Sequence, residues 1–206
     1  MSPGATRRRD PVATRRAIIT AALDALSEGR VGEGRIAPTT KEIAARAGTS
    51  ERSVFVHFPT LDDLRTAVAD EQATRVERTI RDIDPSLPLP QRVDAVVRQS
   101  ADIFELQRNP RLAGLIEMHR LTAIDQRMRV SENKIRDALT RTFAAELASD
   151  RGVDSQLLDC IDVAIGWSTH HYLEERRRLS RAATHATITR ILMSLLGPPQ
   201  PDDGSA

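Results

Sequence analysis

The chain has 206 residues, of which 40% are apolar, 29% charged and 3% aromatic, and its net charge is +1. That is long enough to bury a core without disulfides or a structural metal. It holds no apolar run of membrane-spanning length, and its wealth of Ala, Leu and Arg with so few aromatics favours helices over a sheet. The lone cysteine, Cys160, excludes an intrachain disulfide and fits a reducing compartment, so the expectation is a cytoplasmic protein with no secretory signal and no membrane contact.

The charge is uneven: residues 1–65 hold 11 Lys/Arg against 8 Asp/Glu, and the remainder is slightly acidic. Residues 1–12 read as a disordered basic arm in which Arg7, Arg8 and Arg9 form either a phosphate-seeking element or a merely solvated tail. A helix is expected from near Thr14, with Ile18, Ile19, Ala22, Leu23 and Leu26 on one face, ending at Gly29. The stretch Gly29 to Pro38 is glycine-rich and reads as a loop. Thr39 and Glu42 have the spacing of a capping box, opening a short helix that turns Ile43, Ala44 and Ala47 inward and stops at Gly48. Ser50 caps a second short helix through Val54, Phe55 and Phe58, closed by Pro59. Thr60 and Asp63 repeat the capping spacing and open a long helix to about Asp82, with Leu61, Leu64 and Val68 on one face.

Pro85, Pro88 and Pro90 then break the chain. Helical periods resume at Val93 and are expected to run to about Gln107, with Pro110 in the first turn of another helix. A further helix spans about Ile124 to Leu147, another follows a cap at Ser155 and carries both Trp167 and Tyr172, and the last starts at Ser180 or Arg181 and stops at Gly197. No strand pattern and no repeat is evident. The fold class is therefore all-α. A helix-turn-helix domain (13–60) is expected, joined by a long helix to a larger helical domain (61–197), with a disordered tail at 198–206.

Thr40 to Phe58 carries the most specific chemistry. Ala44 at the crossing, Gly48 in the turn and Val54 in the hydrophobic corner have the spacing of a helix-turn-helix. A plain helical hairpin is the alternative. The second helix exposes Glu51, Arg52, Ser53 and Val56 near the end that enters a major groove, where free backbone N–H groups also suit a phosphate. Arg52 suits guanine O6 and N7, whereas Glu51 suits either a cytosine amine or the helix dipole.

Residues of about 14–68 resemble the N-terminal domain of the tetracycline-repressor (TetR-like) family. The resemblance is carried by Thr39-Thr40, Ile43-Ala44, Ala47-Gly48, Ser50, Val54-Phe55, His57-Phe58, Thr60 and Leu64. It implies a repressor released by a small ligand, and DNA contacts at Thr40, Lys41, Glu51, Arg52, Ser53, Phe55 and His57. It also implies a ligand pocket and a dimer interface in the C-terminal half. Three departures stand out: a longer loop between Gly29 and Pro38, Phe55 and Val56 without the family's tyrosine hydroxyl, and Leu61 in place of a phosphate-binding lysine. The phosphate clamp then falls to His57, Thr40, Lys41 and the arm.

Phe104, Leu115, Met118, His119, Phe143, Trp167 and His171 are candidates for lining a mostly apolar pocket, although each also reads as ordinary core. The expected partners are a pseudo-palindromic double-stranded DNA operator, a small effector, and a second copy held through the last two helices in a four-helix bundle. His170 with Glu174 and His171 with Glu175 read as surface or interface pairs, and Cys160 as a small core or interface residue. With no phosphate loop, nucleophile elbow or dinucleotide fingerprint, no enzyme, metal or cofactor is expected. A DNA-binding protein without any ligand, and a helical module whose helix-turn-helix look is accidental, stay open beside the ligand-gated regulator.

Overall fold

A computed structural model describes residues 10–29 and 37–197. The arm at 1–9, the loop at 30–36 and the tail at 198–206 lie outside the described residues. Helices α1 (Pro11–Glu28), α2 (Thr40–Arg46), α3 (Glu51–His57), α4 (Leu61–Thr79), α5 (Leu89–Glu117) and α6 (Thr122–Thr142) come first. A two-residue hairpin, β1 (Ala148–Ser149) and β2 (Gly152–Val153), then precedes α7 (Ser155–Ile165), α8 (Trp167–His171), a π-turn (Tyr172–Arg176) and α9 (Arg181–Leu196). The chain divides into two units, one of residues 1–75 with 107–129, the other of 76–106 with 130–206. The divisions fall inside α4, α5 and α6.

The first unit packs Ile18, Ala21, Ala22 and Leu23 of α1 against Ile43 and Ala44 of α2, Val54 of α3, Phe58, and Leu64, Ala67 and Val68 of α4. Residues 10–12 were expected in the arm, but α1 begins at Pro11. The Asp10 carboxylate accepts from the Val12 N–H, and proline at the first helical position gives up a donor that would be unpaired there anyway. Asn109 donates to the carbonyls of Ser27 and Gly29 at 2.8 and 2.7 Å and so closes the far end of α1. Arg120 forks onto Asp62 with two bonds of 2.9 Å, and its guanidinium holds the Asp62 carboxyl below the usual range.

The second unit is built around Val93, Val96 and Val97 of α5, Leu139, Phe143, Leu147, and the inner faces of α7 and α9. An ion pair lies largely buried in it: Arg92 forks onto Glu146 at 2.7 and 2.6 Å and also donates to the carbonyls of Leu87 and Thr142.

Five local expectations give way. Helix α5 runs unbroken through Pro110 rather than restarting there. A proline removes one backbone donor and can bend a helix without ending it. Helix α6 stops at Thr142, and the chain reaches α7 through the hairpin, where Gly152 takes φ 103°. The cap of α7 is Asp154, whose carboxylate accepts from the Leu157 N–H, not Ser155. The helix expected to carry Trp167 and Tyr172 is interrupted at Gly166, which is extended, while the Thr169 hydroxyl takes up the Val163 carbonyl. Leu61, expected on the inner face of α4, is exposed.

Candidate nucleic-acid interface

The capping box of α2 forms as its spacing predicts. The Thr39 hydroxyl accepts from the Glu42 N–H at 3.3 Å while Glu42 accepts from the Thr39 N–H at 2.7 Å. The chain then turns at Gly48, whose φ of 62° lies in the left-handed region that a Cβ disfavours. The Thr49 N–H closes the turn onto the Ala44 carbonyl at 2.9 Å. Ser50 caps α3 through the Ser53 N–H at 3.2 Å. Ala44 and Val54 are buried, as the packing of two short helices across a small residue requires. Phe58 is buried behind them, with the Arg15 guanidinium 4.8 Å above its ring. Thr60 and Asp63 cap α4 reciprocally.

This frame decides what α3 turns outward. Glu51 and Arg52 are exposed, and Ser53 and His57 are half-buried. Phe55 is 46% exposed and Val56 72%. On α2, Lys41 is exposed and Thr40 half-buried. The seven residues named from the sequence as DNA contacts thus lie on α2 and α3 of one unit. Val56 was placed at the exposed end of the helix from the sequence but left out of that set. Its signal was its position two residues after buried Val54.

The residues named for a pocket are divided between the two units. Leu115, Met118 and His119 belong to the first unit, where Leu115 and His119 are exposed. Phe143 is fully buried in the core of the second unit. Phe104, Trp167 and His171 do come together there. Trp167 stacks on His171 with ring centres 4.5 Å apart, and Phe104 lies 6.2 Å from Trp167. Sequence reasoning missed the group at the centre, His170, which stacks on Phe104 at 5.1 Å and meets the Ser100 hydroxyl at 3.0 Å. His170 is buried at 1% exposure rather than at a surface, because the break at Gly166 resets which face of the chain points inward. Burial pushes its imidazole below the ordinary histidine range, and Glu174, 3.8 Å away, pulls only partly back. Among the described residues Trp167 Nε1 and His171 Nδ1 are also buried without a hydrogen-bond partner. Cys160 is exposed, so it is not a core residue.

No family model and no curated protein matches the chain. Solved structures do. The chain is similar to a tetR-family transcriptional regulator from Streptomyces coelicolor with a TM-score of 0.68 and 18% identity, over 88% of this chain and 81% of that one. It is similar to Salmonella enterica GusR with a TM-score of 0.62 and 20% identity, over 94% of this chain and all of the other. A multidrug binding protein, EbrR, in complex with imidazole gives a TM-score of 0.62 and 18% identity over 98% of this chain and 100% of its own. The likeness, at these identities, is one of fold: the chain has the all-helical fold of these regulators. No helix among the described residues is long and apolar enough to cross a membrane.

Proposed function

We propose that the chain is a sequence-specific DNA-binding transcription regulator, acting in the cytoplasm as a homodimer and released from its operator by a small, largely apolar ligand. The observation that carries this reading is the α2–α3 corner: a left-handed turn at Gly48 and a buried Ala44–Val54 crossing hold a seven-residue helix with its outer face bare. That is the geometry in which a second helix can lie in a major groove while the first crosses the backbone. Arg52 supplies a fork for guanine, and Lys41 and Thr40 sit where the backbone passes.

Three exposed apolar side chains support self-association in the second unit: Val163 on α7, Tyr172 on the π-turn and Ile191 on α9. Two copies paired there bring two recognition helices to a two-fold-symmetric site. The ligand reading is supported by the aromatic group of Phe104, Trp167 and His171 and by the similarity to a multidrug binding protein. A ligand that distinguishes the DNA-bound state from the free one typically changes DNA affinity by about 1–3 kcal/mol.

The test is selection of duplexes from a random pool by the full chain, followed by lipophilic-ligand titration of the selected complex. The expected result is one enriched sequence with two inverted half-sites and at least one ligand that weakens binding to it. Enrichment without any such ligand favours a ligand-independent DNA-binding protein, and no enrichment overturns the reading.

A further inference from the structure

The outer face of α3 has a centre, and its chemistry is specific. A helix turns about 100° per residue, so the direction opposite buried Val54 falls between Arg52 and Val56, about 20° from each. Ser53 and Phe55 lie about 80° to either side of that direction. The side chains aimed most directly away from the core are therefore one guanidinium and one branched aliphatic. Val56 is the more exposed of the two apolar residues on this face, at 72% against 46% for Phe55. A lone exposed valine is ordinary on any protein. This one sits directly opposite the core contact of its helix, beside Arg52, in a helix too short to gain from a β-branched residue on its water side.

We infer that Val56 reads the 5-methyl group of a thymine in each half-site while Arg52 reads a guanine about two base-pair steps away. The inference rests on the DNA-binding reading above and adds to it the base that an apolar side chain selects. Of the groups that base pairs present in the major groove, only the thymine methyl is apolar, and a valine can form no hydrogen bond with the others. Residues four apart rise about 6 Å along a helix, and stacked base pairs are about 3.4 Å apart, so a helix lying along the groove spaces the two contacts by about two steps. Phe55, off to one side, widens the apolar contact toward the sugar or a neighbouring methyl.

The experiment uses the duplex selected by the full chain. Each thymine of a half-site is replaced in turn by deoxyuridine, which removes the methyl group and leaves every hydrogen-bonding atom in place. Affinity is measured for the wild-type chain and for Val56→Ala. The expected result is a single thymine at which deoxyuridine weakens wild-type binding about three- to five-fold, the loss of about one buried methyl. At that thymine Val56→Ala should bind the two duplexes equally, with its other base preferences and its melting temperature unchanged. A wild-type chain insensitive to every such replacement, or a Val56→Ala chain with the same penalty as wild type, overturns the inference while leaving DNA binding intact. If the full chain selects no duplex at all, the DNA-binding reading falls, and this inference with it.

Discussion

The caps of α2, α3 and α4 join polar groups only three positions apart in sequence, at the surface: Thr39 with Glu42, Ser50 with Ser53, Thr60 with Asp63. Inside the second unit they bond over 54 positions between Arg92 and Glu146, and over 70 between Ser100 and His170, away from water. The first arrangement fixes where short helices begin while keeping the outer face of α3 free of internal obligations. The second ties together segments that have no local reason to meet. The difference teaches that the helix starts around the α2–α3 corner are specified locally, whereas the interior of the second unit is specified by pairs distant in sequence.

The pairs should be the costlier to break. Replacing Arg92 with alanine leaves the Glu146 carboxylate half-buried without its fork, and removes donors from the Leu87 and Thr142 carbonyls. The expected loss of unfolding free energy is about 3–5 kcal/mol, whereas the double replacement Arg92→Met with Glu146→Leu recovers most of it. Denaturant titrations of both variants measure this. A loss under about 1 kcal/mol for Arg92→Ala would put the pair on a par with a surface contact and erase the contrast.

The caps come next. Thr39→Ala, Ser50→Ala and Thr60→Ala should each cost about 0.5–2 kcal/mol, read in the same titrations. Their effects should add, because each cap serves a different helix start.

The pH response sharpens the comparison further. The imidazole of His170 is held below its ordinary range by burial, and the carboxyl of Glu146 below its own by the hydrogen bond from Arg92. In both cases the unfolded chain binds the proton more readily, so stability falls as pH falls. The decline should start as pH drops through the ordinary histidine value of 6.5 and steepen through the ordinary glutamate value of 4.5. His170→Gln should remove the first phase of the decline and leave the second. Melting temperatures of the two chains between pH 8 and pH 4 would show it, and an unchanged upper phase in the variant would assign that phase to another group.

The same contrast explains what the sequence revealed. The three cap motifs, the turn glycine and the buried Ala44 and Val54 were legible because each depends on residues within a turn or two of itself. The capping spacing at Thr60 and Asp63 was readable for that reason, and so was the start of the last helix at Ser180 or Arg181, where Ser180 is the cap and Arg181 the first helical residue. The continuation of α5 through Pro110 was not, since a proline can open a helix or lie within one, and the local sequence does not decide between them. The burial of His170 was not legible either. Its inward turn depends on one extended residue, Gly166, and its partner Ser100 lies on another helix. Of the pocket candidates, Phe104, Trp167 and His171 were brought together by the fold. Leu115 and Met118 were named from the expected central place of their helices, and His119 as a possible polar lining group; the unit a segment joins is not written in its local sequence.

Central to the account is the bare outer face of α3 as a reader of base edges, and Arg52 is its polar half. The most direct measurement is a binding titration of Arg52→Ala against the selected duplex and its single-base variants at fixed salt. The account predicts a loss of about 1–3 kcal/mol and indifference at one guanine, with the preference at all other positions and the melting temperature preserved. Equal affinity and an unaltered base preference at every position would contradict it.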